Sequence, residues 1–247
     1  MFPMGFISGL FCVWLLRDTP QKESLPTSQI CLIIDDFGNS LNRDIQGFLS
    51  LDHTLTFAII PGHTYSKETA SLAAEKGVET LIHMPMESWD GIDPDEAAFC
   101  LHEGLNPGEF EQRISLAFDE IPGAVGMNNH QGSKSTGDAQ QMKILARILK
   151  HRNKLFLDSF TNPDSKAFVT MKKMGVKTGL RHLFLDNIDE ESAIKAQLDS
   201  LIVIALERGS VIGIGHCKPV TLKVLREVLP EIEKKGIHLV PASAVAN

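Results

Sequence analysis

The chain has 247 residues, 43% of them hydrophobic, enough for a sizeable core in one barrel-sized domain. A formal net charge of −7 with no Lys/Arg-rich run argues against a phosphate-tracking surface, so no nucleic-acid partner is expected. Cys12, Cys31, Cys100 and Cys217 form no C-x-x-C pair, which suggests neither a thiolate zinc site nor a dithiol redox motif.

The chain opens on MFPMGFISGLFCVWLL, sixteen almost wholly apolar residues followed by Arg17, Asp18 and the polar stretch TPQKESLPTSQ. The run is short for a spanning helix, and it lacks the basic n-region and small-residue cleavage site of a secretory signal. Residues 1–29 are read as an apolar anchor or signal-like segment plus linker, and residues 30–247 as a single domain. The protein is expected to be extracytoplasmic, periplasmic or tethered to a membrane through its N-terminus.

From residue 30 one alternation repeats: a short apolar run, a polar or Gly-bearing turn, then a helical pattern. The runs ICLII, LTFAII, ETLIH, AVGMN, KLFLD, HLFLD, SVIGIG and IHLVPA are candidate strands. Between most of them lie amphipathic stretches such as YSKETASLAAEKG, GEFEQRISLAFDEI and DAQQMKILARILKHRN, several ending in Gly as helix C-termini often do. Strands that are apolar without alternation are buried on both faces, the mark of a parallel sheet. The expected fold is α/β, a distorted (β/α) barrel of about seven or eight units.

Barrels of this kind carry their chemistry at the carboxyl ends of strands and in the loops that follow. Those positions here hold Asp35 and Asp36, the PGH turn at 61–63, His83 and Glu87, Asn128, Asn129 and His130, Asp158 and Ser159, Asp186, and His216. The adjacent carboxylates of Asp35 and Asp36 repel in a low dielectric, and one turn residue explains only one of them; a bound cation or a shared proton explains both. Pro85 argues for a fixed loop around His83 and Glu87. Asn128, Asn129 and His130 exceed what capping the helix near Asp138 requires, whereas Asp158 serves equally well as a cap or as a functional group. The glycines flanking His216 let backbone approach a ligand. His53, His63, His102, His151, His182 and His238 lack such context and are expected to be surface or structural.

The ordered set IIDDFG, FAIIPG, LIHMPME, GMNNHQGS, LFLDSFT, RHLFLDN and IGIGHCKPVTL, spanning residues 30–242, resembles the divergent polysaccharide deacetylase family, a branch of the carbohydrate deacetylase superfamily. The resemblance implies a barrel of glycoside hydrolase/deacetylase type and metal-dependent hydrolysis of a linear amide, the acetamide of an amino-sugar polysaccharide or peptidoglycan-like glycan. It implies that Asp35 is the catalytic base and Asp36 a ligand of the metal, most simply zinc. His83 matches the first histidine of the superfamily's next motif, and after three intervening residues Glu87 stands for the second, the ligand changed from imidazole to carboxylate. His216 matches the late histidine that acts as general acid.

With His130 as an added ligand or substrate contact, the implied metal set is Asp36, His83 and either Glu87 or His130. Arg181 and Asp158 are expected to orient Asp35 and His216. Asn128, Asn129 and Trp89 are expected to face substrate, Trp89 as a stacking platform. Two other readings stand beside this one: an envelope glycan-binding protein that keeps the barrel without turnover, for which the changed ligand speaks, and a different metal-dependent barrel enzyme. A phosphoesterase of that second kind lacks a Gly-rich phosphate cradle here.

Overall fold

The computed structural model describes residues 28–247, so the expectation for the N-terminal apolar segment lies outside the described residues. Eight parallel strands, most of them buried along their length, form a curled sheet in the order β6-β5-β4-β3-β2-β1-β8-β7. They are β1 (Gln29–Phe37), β2 (Thr56–Ile59), β3 (Glu79–Met86), β4 (Gly126–Gln131), β5 (Leu155–Asp158), β6 (Thr178–Leu180), β7 (Leu183–Phe184) and β8 (Ser210–His216). A ninth strand, β9 (His238–Leu239), pairs with the start of β1. Among the described residues β6 and β7 do not pair, so the barrel is open on that side, which is its distortion.

The helices that cover the sheet are α1 (Arg43–Leu49), α2 (Ser66–Glu75), α3 (Pro107–Glu120), α4 (Ala139–His151), α5 (Ala167–Met174), α6 (Glu191–Arg208) and α7 (Pro219–Lys234). A short terminal helix, α8 (Ala242–Val245), follows β9. Two of the helix starts are set by their first residues. Asn106 and Glu109 form a reciprocal capping box at α3, and the Asp138 carboxylate accepts from the amides of Gln140 and Gln141 at α4. No helix among the described residues is long and apolar enough to cross a membrane.

Strand parity divides the core in two. Leu32, Ile34, Ile82, Met84, Met127, Phe156 and Val211 belong to the layer under the helices, whereas Cys31, Ile33, Ala58, Leu81, Leu155, Leu157, Ile212 and Ile214 form a smaller inner cluster that Ala242 and Val245 of α8 close from below. Side chains alternate between faces along a strand. Extending the inner set toward the carboxyl ends therefore leads from Ile33 to Asp35, from Leu81 to His83 and from Ile214 to His216.

β3 runs further than expected, through Pro85 to Met86. Its ladder with β2 ends at Ile82, so Pro85 needs no amide on that side, while its carbonyl accepts from Leu101.

Candidate active site

Asp35 and Asp36 follow each other, and on a regular strand they would point to opposite faces. A break in the β1–β2 register between Ile34 and Phe37 coincides with a left-handed Asp36, φ 67°, which aims the second carboxylate toward the site as well. Asp is one of the few residues that tolerate that conformation.

Asp35 is 1% exposed. Its Oδ1 accepts from Asn128 Nδ2 at 2.9 Å, and its Oδ2 lies 3.5 Å from His83 Nε2. Burial raises its pKa, against the opposing charge of His83. Asn128 is oriented by that donation, because a carboxylate oxygen can only accept. Its Oδ1 therefore takes the Nδ1–H of His83, at 2.9 Å, and the His83 Nε2 lone pair is left for the site.

Three donors converge there. Asp36 Oδ1 is 3.4 Å from His83 Nε2 and 3.3 Å from His130 Nδ1, and all three lie within 4.8 Å of one another. Ligands about 2.0–2.1 Å from a tetrahedral zinc stand roughly 3.3 Å apart, so this spacing fits such an ion. Asp36 Oδ1 is buried and receives no aligned hydrogen bond from either ring, which also fits an oxygen placed for a cation. Burial would raise the Asp36 pKa, but His130 and His83 outweigh it and hold the carboxyl well below the usual range. His83 is pulled down by burial and pushed up more strongly by Asp35 and Asp36, to about 9. A cation bound there would take the place of that charge.

His216 stands across the site on β8, in register with Asp35. Its Nδ1 lies 2.7 Å from Asp186 Oδ1, and the other Asp186 oxygen accepts from the His216 amide and the Thr221 hydroxyl. The His216 pKa is raised: burial lowers it, but Asp186 dominates. Phe184 stacks on the His216 ring and Arg181 lies over Phe184, 3.7 Å from its centroid. The Arg181 guanidinium also donates to the carbonyls of Ser159 and Phe160. Arg181 thus supports His216 through Phe184, and among the described residues it makes no hydrogen bond or ion pair with Asp35, which reaches it only as a nearby charge.

Four expectations need correction. Asp158 lies at the parity of Phe156, toward the helices, and its carboxylate accepts from Phe160, Ser165 and Phe168 as a cap for α5; Asp186 holds His216 instead. Glu87 turns away from the cluster to Lys134, 2.8 Å, and the Glu103 amide, and it is His130 that lies beside Asp36 and His83. Asn128 is buried and fully engaged with His83 and Asp35. Asn129 staples β4 to the loop after β5, accepting from the Ser159 amide and donating to the Gln131 carbonyl. Neither asparagine is free to face substrate. Counting parity from Leu155 and Leu157 would have shown Asp158 facing outward; no comparable signal marked Asp186 as the partner of His216.

Trp89 is 72% exposed on the loop after β3. It borders a cleft lined by Lys134, Asp138, Asn162 and Asp164.

Residues 32–246 match the family described as divergent polysaccharide deacetylase, and the chain belongs to that family. It is 33% identical to the Escherichia coli protein YibQ over 247 residues, all of this chain and 75% of that one. Among solved structures it resembles an Agrobacterium tumefaciens protein, ATU2773, with a TM-score of 0.84 at 21% identity, covering 92% of each chain. It shares the fold of a peptidoglycan N-acetylglucosamine deacetylase domain from Eubacterium rectale, TM-score 0.53 at 13% identity over 89% of this chain and 90% of that one. The same holds for BA3943 of Bacillus anthracis, described as a CE4 family pseudoenzyme, TM-score 0.55 at 10% identity over 91% and 67%.

Proposed function

We propose that the protein is a metal-dependent deacetylase that hydrolyses the N-acetyl group of an amino-sugar glycan. The observation that carries this reading is the convergence of Asp36, His83 and His130 beside a buried, separately held carboxylate, with the His216–Asp186 pair opposite. Asp36, His83 and His130 would hold a divalent ion, most simply zinc, which when bound polarises an amide carbonyl and lowers the pKa of water.

The chain's own groups supply the rest. Asp35 takes the proton of the attacking water, since its burial raises its affinity for a proton. His216, kept protonated by Asp186, gives a proton to the leaving amine. Asn128 holds Asp35 and His83 at fixed separation, so base and ligand do not exchange places. Trp89 offers an exposed face on which a sugar ring can stack. The reading carries with it an extracytoplasmic location, where peptidoglycan-like glycans lie, in keeping with the apolar run at residues 1–16.

The pseudoenzyme among the fold relatives keeps a glycan-binding role without turnover in view. Acetate release from chitin oligomers and peptidoglycan fragments, measured on zinc-loaded protein beside Asp35→Asn, decides between the two. Turnover in the wild type that collapses in the variant, with zinc content unchanged, supports the enzyme. Zinc-loaded wild type that binds these glycans and releases no acetate overturns it in favour of binding.

A further inference from the structure

Glu96 was not singled out by sequence, and the catalytic reading does not use it. It is only 6% exposed, on the segment between β3 and α3, and burying a carboxylate without partners is costly. The partners the structure gives it, among the described residues, are two imidazoles: His130 Nε2 at 3.5 Å and His63 Nε2 at 3.4 Å from the same oxygen. His63 is held from its other side by Asn39.

The segment is built to keep that carboxylate in place. Arg113 of α3 binds the carbonyls of Ala97 and Cys100, and the Leu101 amide donates to Pro85 beside the site. The Phe99 ring lies over Gly62, where a Cβ would meet it at 2.6 Å, so the segment sits directly on the turn that carries His63.

His130 has one nitrogen toward Asp36 and the other toward Glu96. A ring that offers the Nδ1 lone pair to a cation must carry its proton on Nε2, and a carboxylate facing Nε2 selects that form. We propose that Glu96 is a positioning residue for the metal centre, accepting the Nε2–H of His130 and thereby presenting Nδ1 to the ion. The inference rests on the metal reading above and adds a carboxylate–histidine–metal relay to it. His83 is served in the same way by Asn128, so each imidazole ligand has its own acceptor.

The test is zinc affinity of the full-length protein, read by competition with a chromophoric chelator, for wild type, Glu96→Ala, Glu96→Gln and His130→Ala. Removal of such an outer partner typically weakens metal binding by about 10–100-fold, and Glu96→Ala is expected in that range. Glu96→Gln, which keeps an acceptor and the shape, should fall between it and wild type, and it carries the test if the alanine variant does not fold. In the zinc-loaded wild type the His130 Nε2 proton should appear as a protected downfield resonance that Glu96→Ala removes. Wild type that binds zinc while both Glu96 variants bind as tightly and keep the resonance overturns the assignment and leaves the metal site standing. Wild type that takes up no zinc overturns the metal reading and this inference together.

Discussion

Asp186 shows how one buried carboxylate sets the working range of a proton donor. Its two oxygens receive His216 Nδ1, the His216 amide and Thr221, so it stays ionised, its pKa lowered by these partners against burial. Its charge raises the pKa of His216. A general acid works while protonated and fails as pH rises through its pKa. Asp186→Asn should therefore move the alkaline limb of the rate profile to lower pH, and His216→Ala should cost about 10²–10⁴ in turnover; a limb left in place would show that His216 is not the acid. His83 gives a second prediction. With a pKa of about 9 it is protonated in the metal-free protein at neutral pH, so zinc must displace its proton. Affinity should then fall as pH drops below 9, by up to about tenfold per unit, and calorimetry in buffers of different ionisation heat should register close to one proton released on binding. Asp36→Asn should abolish uptake while keeping the fold, because asparagine also tolerates the left-handed backbone at that position.

At the scale of elements, the site is a product of strand parity plus one irregularity. Asp35, His83, Asn128 and His216 continue the inner rows of β1, β3, β4 and β8; their place at the carboxyl ends of strands was legible from the apolar runs, but which face they share was not, because those runs do not alternate. The break in β1 was not, since nothing in IIDDFG distinguishes a bulge from a turn after the strand. Nor was the direction of Glu87, because a spacing of three intervening residues says nothing about a strand that continues through Pro85. Asn129 follows an inward residue of the same chemistry, so sequence does not tell the two apart, whereas Asp158 stands one position beyond the inward Leu157 and only its parity, not its place at the strand end, shows that it faces the helices. The close approach of β4 and β5 offers a test of this register. A Cβ on Gly126 would stand 2.2 Å from the Leu155 carbonyl oxygen, a backbone atom that cannot move without opening the ladder. Gly126→Ala should cost about 1–3 kcal/mol in chemical denaturation, as overpacking in a rigid site does, and should weaken zinc binding through His130 on the same strand. Gly104→Ala meets no such neighbour within 4 Å, although its positive φ adds a local backbone cost, and it should leave zinc binding unchanged.

For the whole molecule, the parallel barrel was readable because nearly every strand is an uninterrupted apolar run, whereas its opening between β6 and β7 was not, those strands being only three and two residues long. An open barrel places unusual weight on its rim. Strands β1, β3, β4 and β8 meet at the site through charged and polar side chains, and in the metal-free state these include two carboxylates and an imidazolium within about the reach of a single ion pair. A cation joining Asp36 of β1, His83 of β3 and His130 of β4 would bind the native state only, because the unfolded chain does not hold the three together. At roughly 100 times its Kd such an ion adds about 2.7 kcal/mol. For a domain of this size that corresponds to a melting point about 5–10 °C higher than in the presence of a chelator. Asp36→Asn, which lacks the ligand, should melt at the same temperature with zinc or with chelator. If wild type behaves like that variant, the rim is held without an ion and His83 keeps its charge between the two carboxylates.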